Sequence, residues 1–229
     1  MRTALITGTS SGIGLSTARM LLSNGWKVIG ISRTHTDIDN ENFSELLQDL
    51  TNINATELII KKLLQEHSFS LLVNNAGIGY YGLCEEISPR KINEMITTNL
   101  TVPITITSLM MRHLKKNNGT IINISSVTAS KSNPFGAAYG ATKAGLSSFG
   151  TTIFDEARKY GIRVINIEPD MTVTNLYRNA NFEASEETNC SLNPTDVANA
   201  IEFAINNLTI TRMVLQPQYH RIKRKEVNT

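Results

Sequence analysis

The sequence predicts a three-layer α/β fold, a doubly wound parallel sheet with helices on both faces. Three observations carry this. Short β-branched runs alternate with longer amphipathic ones along the chain, the pattern of a parallel sheet buried between helical layers. A glycine-rich turn, ITGTSSGIG, joins the first strand to the first helix. No internal repeat and no Gly/Ser/Pro linker interrupts the alternation, so residues 1–217 read as one domain and 218–229 as a basic tail.

RTALIT, KVIGIS, FSLLVN, TIINIS, IRVINIE and TRMVLQ read as buried strands. SELLQDL, between the second and third of these, is a weaker candidate and brings the sheet to seven strands. The first helix starts inside SSGIG and stops at Asn24-Gly25, where glycine suits a left-handed cap. A long helix opens at Ser88-Pro89, an N-cap followed by proline in the first turn, and closes near Asn117-Asn118-Gly119. Pro103 lies inside it and predicts a kink there. From Tyr139 to Tyr160, Leu146, Phe149, Ile153 and Ala157 form one stripe. The last helix opens at Asn193-Pro194, with Asp196 in its first turn. In such folds ligands bind beyond the carboxyl ends of the strands, where the strand order reverses.

Composition narrows the function classes. With 22 Lys+Arg against 20 Asp+Glu, the chain lacks the positive surplus of a dedicated nucleic-acid binder. The basic cluster in HRIKRKEVNT is local and reads as a solvated terminus. Cys84 and Cys190 are too few and too far apart for a disulfide framework, and no Cys/His spacing suggests a metal. No apolar run is long enough to cross a bilayer, and because Met1 runs almost directly into a strand no signal peptide is expected. A cytoplasmic protein is expected.

Gly8, Gly12 and Gly14 occupy the first strand-to-helix turn. Glycine there lets the backbone approach a pyrophosphate and leaves the helix amides free to donate to it. The spacing Gly-x-x-x-Gly-x-Gly, the later Asn74-Asn75-Ala76-Gly77 and the pair Tyr139/Lys143 fall in sequence order. Together they resemble the TGxxxGxG, NNAG and YxxxK motifs of the classical short-chain dehydrogenase/reductase family, over about residues 3 to 216. Thr7 completes the first motif. The resemblance implies a Rossmann fold with a seven-stranded parallel sheet. It is weaker, but still present, towards short 3-oxoacyl reductase-like and 3-hydroxy acid dehydrogenase members.

Tyr139 and Lys143 begin a patterned helix, and their spacing puts both side chains on one face. Tyr219 and Lys223 have the same spacing but lie in the charged tail after Pro217, and they read as a decoy. Thirteen residues before Tyr139 is Ser126, at the end of TIINIS; thirteen before Tyr219 is only Asn206. A carbonyl that accepts hydride needs a proton on its oxygen. A phenol with a free pKa near ~10 becomes a workable acid–base group beside an ammonium. Lys143 is expected to lower that pKa, and Ser126 to donate to the substrate oxygen. By resemblance, Lys143 also holds the nicotinamide ribose, and Asn99 anchors a water that links the site to solvent.

The same resemblance assigns cofactor contacts to Gly8, Ser10, Ser11, Gly12, Ile13 and Gly14, and to Asn75, Ala76 and Gly77. Asp49 and Leu50 match its adenine-contacting pair. The family's PGxxxT is met by Pro169 and Thr174, with Asp170 in place of glycine, and Thr172 between them is a further cofactor-contact candidate. Aspartate reaches left-handed backbone at some cost, so this loop's geometry is in question.

Cofactor choice turns on the end of the second strand. Twenty residues beyond Gly12, where NAD-binding folds carry an acid, stands Ser32, followed by Arg33. A small neutral residue beside a guanidinium favours NADP(H) over NAD(H). Only fifteen residues separate Arg33 from Asp49, and THTDIDNEN has no helical stripe. The helix between strands two and three is therefore expected to be reduced or absent, close to the limit for a parallel crossover.

The substrate loop is expected over Thr172 to Leu192, with Leu176, Tyr177 and Phe182 as apolar contacts and Arg178 as an anion contact. Tyr80 and Tyr81 are further pocket candidates. The expected activity is carbonyl–secondary alcohol interconversion on a small molecule. The competing reading is an NADPH-sensing binding protein with vestigial catalysis, and epimerase or dehydratase chemistry has no specific support. The resemblance implies a homodimer, with a tetramer left open.

Overall fold

The computed structural model describes residues 1–187, 189–219 and 222–225. Its main sheet contains β1 (Thr3–Thr7), β2 (Lys27–Ser32), β3 (Phe43–Leu47), β4 (Phe69–Asn74), β5 (Thr120–Ile124), β6 (Arg163–Pro169) and β8 (Arg212–Leu215). The spatial order is β3-β2-β1-β4-β5-β6-β8 and every pairing is parallel. The order reverses between β1 and β4, and the site lies there.

Period-two alternation sends successive strand residues to opposite faces. Leu5, Ile29, Ile31, Leu72, Ile121 and Val164 face one core. That core is closed by Ile60 and Leu63 of α2 (Ile53–Glu66), Ile106 and Met110 of α4 (Val102–Lys116) and Ala157 of α5 (Ala137–Ala157). Ala4, Ile6, Val28, Leu71, Val73, Ile122 and Ile165 face the other core. Ala18 and Leu21 of α1 (Gly12–Ser23) and Val197, Ile201 and Ala204 of α6 (Pro194–Asn206) close that side.

Between Ser32 and Phe43 there is no helix, as expected. Ten residues make the crossover, held by side chains. Thr36 donates its amide to Glu45 (2.6 Å), His35 meets the same carboxylate (2.8 Å) and the Thr9 and Thr36 hydroxyls bond at 3.2 Å. Ile38 packs on the core beneath. The weak seventh strand is real, but it ends at Leu47, so Asp49 and Leu50 lie just beyond it.

The long second-half helix breaks one turn before Pro103. α3 (Pro89–Ile96) passes into a π-helical turn, Thr97–Thr101, and then into α4. Proline has no N–H for the carbonyl four residues back and its ring crowds that carbonyl; widening the turn ahead of it relieves both. Asn99 sits within this turn. The α2 helix is not marked by any sequence feature noted above; Asn52 caps it through a bond from Ala55 N (3.1 Å), and Thr56, Ile60 and Leu63 form its buried stripe.

A polar ladder crosses the sheet centre. Asn74, Asn123 and Asn166 are register partners on β4, β5 and β6. Asn74 donates to Asn123 (2.9 Å) and Asn123 donates to Asn166 (3.1 Å). Gly150 of α5 leaves room for it, since a Cβ there would stand 2.2 Å from the Asn166 amide oxygen.

Of the basic cluster over 220–229, expected as a solvated terminus, residues 222–225 are described and the rest lie outside the described residues. There β9 (Ile222–Arg224) pairs antiparallel with β7 (Phe182–Ala184) inside the substrate loop, and Lys223 meets Glu183 at 2.9 Å. No helix among the described residues is long and apolar enough to cross a membrane.

Candidate active site

One cleft of about 450 Å³ runs along the carboxyl ends of β1, β2, β4, β5 and β6. At one end the chain leaves β1 into α1. Gly8 and Gly12 have positive φ, 78° and 57°. A Cβ on Gly14 would lie 2.1 Å from the Gly8 carbonyl oxygen and 2.4 Å from the Asn75 amide nitrogen. Gly14 therefore sets helix-to-strand packing and does not line the cleft, whereas Gly8, Ser10, Ser11, Gly12 and Ile13 do.

The first turn of α1, like those of α4 and α5, has neither a side-chain cap nor an acid. Ser11 is its N-cap residue yet makes no side-chain cap bond. By contrast, α2 and α3 are capped by the Asn52 and Ser88 side chains, and the Asp196 carboxylate in the first turn of α6 accepts from Asn193 N at 2.7 Å. Positive backbone dipoles at the α1 terminus thus face the cleft without a resident counter-charge. This terminus, with glycine in place of any intruding side chain, fits the pyrophosphate of a dinucleotide.

The Asn75 loop is fastened to this turn. Thr7 Oγ1 accepts from Asn75 N and Ala76 N, both 3.0 Å, while Asn75 Nδ2 donates to Thr7 O (2.8 Å) and Gly8 O (3.1 Å). Asn75, Ala76 and Gly77 line the cleft, with Asn75 also acting as a brace.

Ser32, Arg33, Asp49 and Leu50 line the far end of the cleft. Ser32 is buried and donates to Thr34 O at 2.6 Å. Arg33 is exposed at the rim. Asp49 is held below the usual carboxylate range, first by the Thr51 backbone bond, with the Thr51 hydroxyl and the Arg33 charge adding to it.

At the other end stand Ser126, Tyr139 and Lys143, all buried. Ser126 Oγ accepts from Thr128 N (3.2 Å) and also hydrogen-bonds the Tyr139 phenol. Lys143 Nζ donates to Ile124 O at 2.8 Å and lies 5.7 Å from the Tyr139 ring centroid. Burial pushes the Tyr139 phenol well above its ordinary value; the Tyr177 charge adds to this and the Ser126 bond opposes it. Burial also lowers Lys143 to about 8. Burial thus raises the phenol, the direction opposite to the lowering expected of Lys143.

Asn99 does not line the cleft. Its side chain accepts from Ile78 N and donates to Ile78 O, both 2.9 Å, and to Thr142 Oγ1 at 3.1 Å. A Cβ on Gly77 would stand 3.5 Å from both Asn99 Oδ1 and Lys143 Nζ, so Gly77 is where the three segments meet.

Pro169, Thr172, Thr174 and Asp170 line the cleft after β6. Asp170 is not left-handed, and its carboxylate accepts from Met171 N (2.8 Å) and Gln216 Nε2 (3.1 Å). The glycine replacement thus introduces a link to β8, not strain.

Tyr80 is turned away from the cleft, donating to Glu94 at 2.9 Å under the ammonium of Lys91. Tyr81 and Phe182, also expected at the pocket, do not line the cleft but stand behind it: the Tyr81 ring packs on Tyr139 (5.7 Å), Tyr177 (5.9 Å) and Phe182 (5.1 Å). Burial raises Tyr177 to about 12, against a Thr172 backbone bond. Tyr177 lines the cleft with Leu176 and Arg178. Tyr219 and Lys223 do not line it. Sequence reasoning missed Ile78, Thr98 and Ser125, lining residues with no motif to mark them. No group of three or more His, Cys, Asp or Glu that could hold a metal occurs among the described residues.

Comparison with known proteins follows the same lines. The family model for short chain dehydrogenase matches residues 2–185. Serine 3-dehydrogenase of Agrobacterium fabrum is 32% identical over 232 residues, covering 94% of this chain and 93% of that protein. The 3-oxoacyl-[acyl-carrier-protein] reductase of Escherichia coli is 33% identical over 183 residues, 76% of this chain and 75% of its own. Among solved structures, an alcohol dehydrogenase from the archaeon Thermococcus sibiricus, complexed with 5-hydroxy-NADP, superposes with a TM-score of 0.85. That likeness, at 24% identity and covering 96% of this chain and 98% of that one, is one of fold.

Proposed function

The chain belongs to the short-chain dehydrogenase family of nicotinamide-dependent oxidoreductases, and we propose that it interconverts a small carbonyl compound and its secondary alcohol with NADP(H) in preference to NAD(H). The observation that carries this is the meeting of Ser126, Tyr139 and Lys143 at one end of a cleft whose other end is an uncapped helix terminus.

The nicotinamide, when bound, supplies the hydride. The amides around Gly8 to Ile13 hold its pyrophosphate, Asp49 and Leu50 the adenine side, and Ala76, Gly77, Pro169, Thr172 and Thr174 the nicotinamide side. Ser32 leaves room beside the adenosine ribose and Arg33 offers a guanidinium to a 2′-phosphate. No carboxylate at the end of β2 opposes it.

Ser126 orients and polarises the carbonyl oxygen. Tyr139 is the proton donor, and its burial keeps the phenol protonated and ready to give. Lys143, with a pKa near the working pH, steadies the phenolate left behind and holds the ribose. Asn99, packed against Ile78 and Thr142, supports a proton relay to solvent. Relatives acting on serine and on 3-oxoacyl groups favour a 3-hydroxy acid or a 3-oxoacyl thioester as substrate. A homodimer is the proposed assembly.

The test is a panel of 3-oxoacyl thioesters, 3-hydroxy acids and small aldehydes with both cofactors, run on wild type and Tyr139→Phe. The variant is expected to lose about 10³-fold in kcat while NADPH binding stays within about twofold. An active Tyr139→Phe variant overturns the assignment. Tight NADPH binding with no hydride transfer to any panel member favours the sensor reading instead.

A further inference from the structure

The loop that carries Tyr177 and Phe182 has little support from the main sheet. Its own strand, β7, is three residues long and, among the described residues, pairs only with β9. A two-stranded ribbon of this size is marginal by itself. What fixes it comes from the far end of the chain. Lys225 N donates to Asn181 O at 2.9 Å, and Tyr219 N donates to Asn189 O at 2.9 Å.

The Lys225 side chain reaches further. Its ammonium donates to Tyr177 O at 2.8 Å and approaches Arg178 O at 3.5 Å. Both carbonyls belong to the single helical turn Asn175–Asn179, so the cation sits against carbonyls at that turn's C-terminal end. Tyr177 lines the cleft, its ring packs 5.6 Å from Phe182, and both contact the Tyr81 ring, which in turn packs on Tyr139. A continuous line of contacts thus joins Lys225 to the proposed proton donor.

We propose that Lys225 is a positioning residue of the active site: with β9 it fixes the Asn175–Asn179 turn, and so places Tyr177, backed by Phe182, as the wall against which the carbonyl substrate is held beside Tyr139. This rests on the reductase reading above. Lys225 does not line the cleft and takes no part in proton transfer.

The experiment uses the full chain carrying Lys225→Met, Lys225→Arg or Lys223→Glu. Hydrogen exchange over residues 175–184 reports on the wall without turnover, and steady-state kinetics report on its use. Lys225→Met is expected to raise exchange there by about tenfold, the loss of one charge-assisted bond. The same variant is expected to raise KM for the best panel substrate about tenfold, with kcat and NADPH Kd within about twofold. Lys225→Arg is expected to restore most of both. Lys223→Glu, which reverses the pair with Glu183, is expected to act in the same direction but less, and it guards against a misfolded Lys225 variant. Unchanged exchange over 175–184 in Lys225→Met and Lys223→Glu overturns the proposal whether or not the wild type reduces any panel member. Raised exchange with unchanged KM also overturns it, since the clamp would then be structural only. A wild type that reduces nothing refutes the reductase reading, and exchange alone then decides whether Lys225 holds the wall.

Discussion

At the phosphate end of the cleft, function is written in backbone. One continuous turn from Thr7 to Gly14 supplies the open amides and the close approach, and side chains matter there chiefly by being absent. At the carbonyl end, function is written in side chains from distant segments: Tyr81, Ser126, Tyr139, Lys143, Tyr177 and Phe182, fixed in part by Lys225. The first construction tolerates no added atom. The second depends on remote parts of the chain to hold its shape.

The sharpest way to break this division is at Lys143, where the two ends meet. Lys143→Met is expected to lower kcat/KM about 10³-fold. It is also expected to raise the melting temperature at neutral pH. A buried lysine at about 8 instead of ~10.4 in the unfolded chain costs roughly 3 kcal/mol below pH 8, less about 1 kcal/mol for the lost bond to Ile124 O. The wild type gains stability as pH climbs from about 8 towards the unfolded value, because the unfolded chain then binds the extra proton; the variant should lack that rise. For the same reason, reductive kcat/KM of the wild type should fall as pH rises through about 8, while the phenol remains protonated. A flat profile from pH 7 to 9 would remove Lys143 from the charge balance.

Gly14→Ala tests the backbone end alone. With 2.1 Å between the new Cβ and the Gly8 carbonyl, helix and strand must part, costing on the order of 3 kcal/mol in stability or about 100-fold in NADPH affinity. Fluorescence titration and thermal melting measure the two, and a variant normal in both would show the packing to be looser than described. Arg33→Ala is the mildest probe. It is expected to lower the NADPH/NADH ratio of kcat/KM about tenfold while leaving NADH turnover unchanged. An unchanged ratio would assign the arginine to solvent.

The same division explains what was legible. The glycine turn, Asn75–Gly77 and the Tyr139/Lys143 pair are local spacings, and they mark the cleft's floor and its proposed proton donor. The missing crossover helix was legible because a stretch too short and too polar cannot form one. Legibility failed where long-range packing decides. Nothing near Tyr80 says that it bonds Glu94 while Tyr81 turns inward. The pairing of Phe182–Ala184 with Ile222–Arg224 spans forty residues between elements of three. The phenol's high pKa comes from burial among rings that no spacing reveals. Pro103 announced a break, but a π-turn can form on the side of the proline where the ring leaves room, and sequence alone does not choose the turn.

The trimmed crossover has a consequence for assembling the sheet. Val28 finds Phe43 only fifteen residues along the chain, whereas Leu5 must find Leu72, sixty-seven residues away. Closing the shorter loop costs about 1.3 kcal/mol less in chain entropy. Removing a helix at the adenine end therefore lowers the entropic barrier to adding the sheet's outermost strand. The edge of this sheet is a near-local appendage of β2, able to form before the crossing from β1 to β4 that creates the cleft.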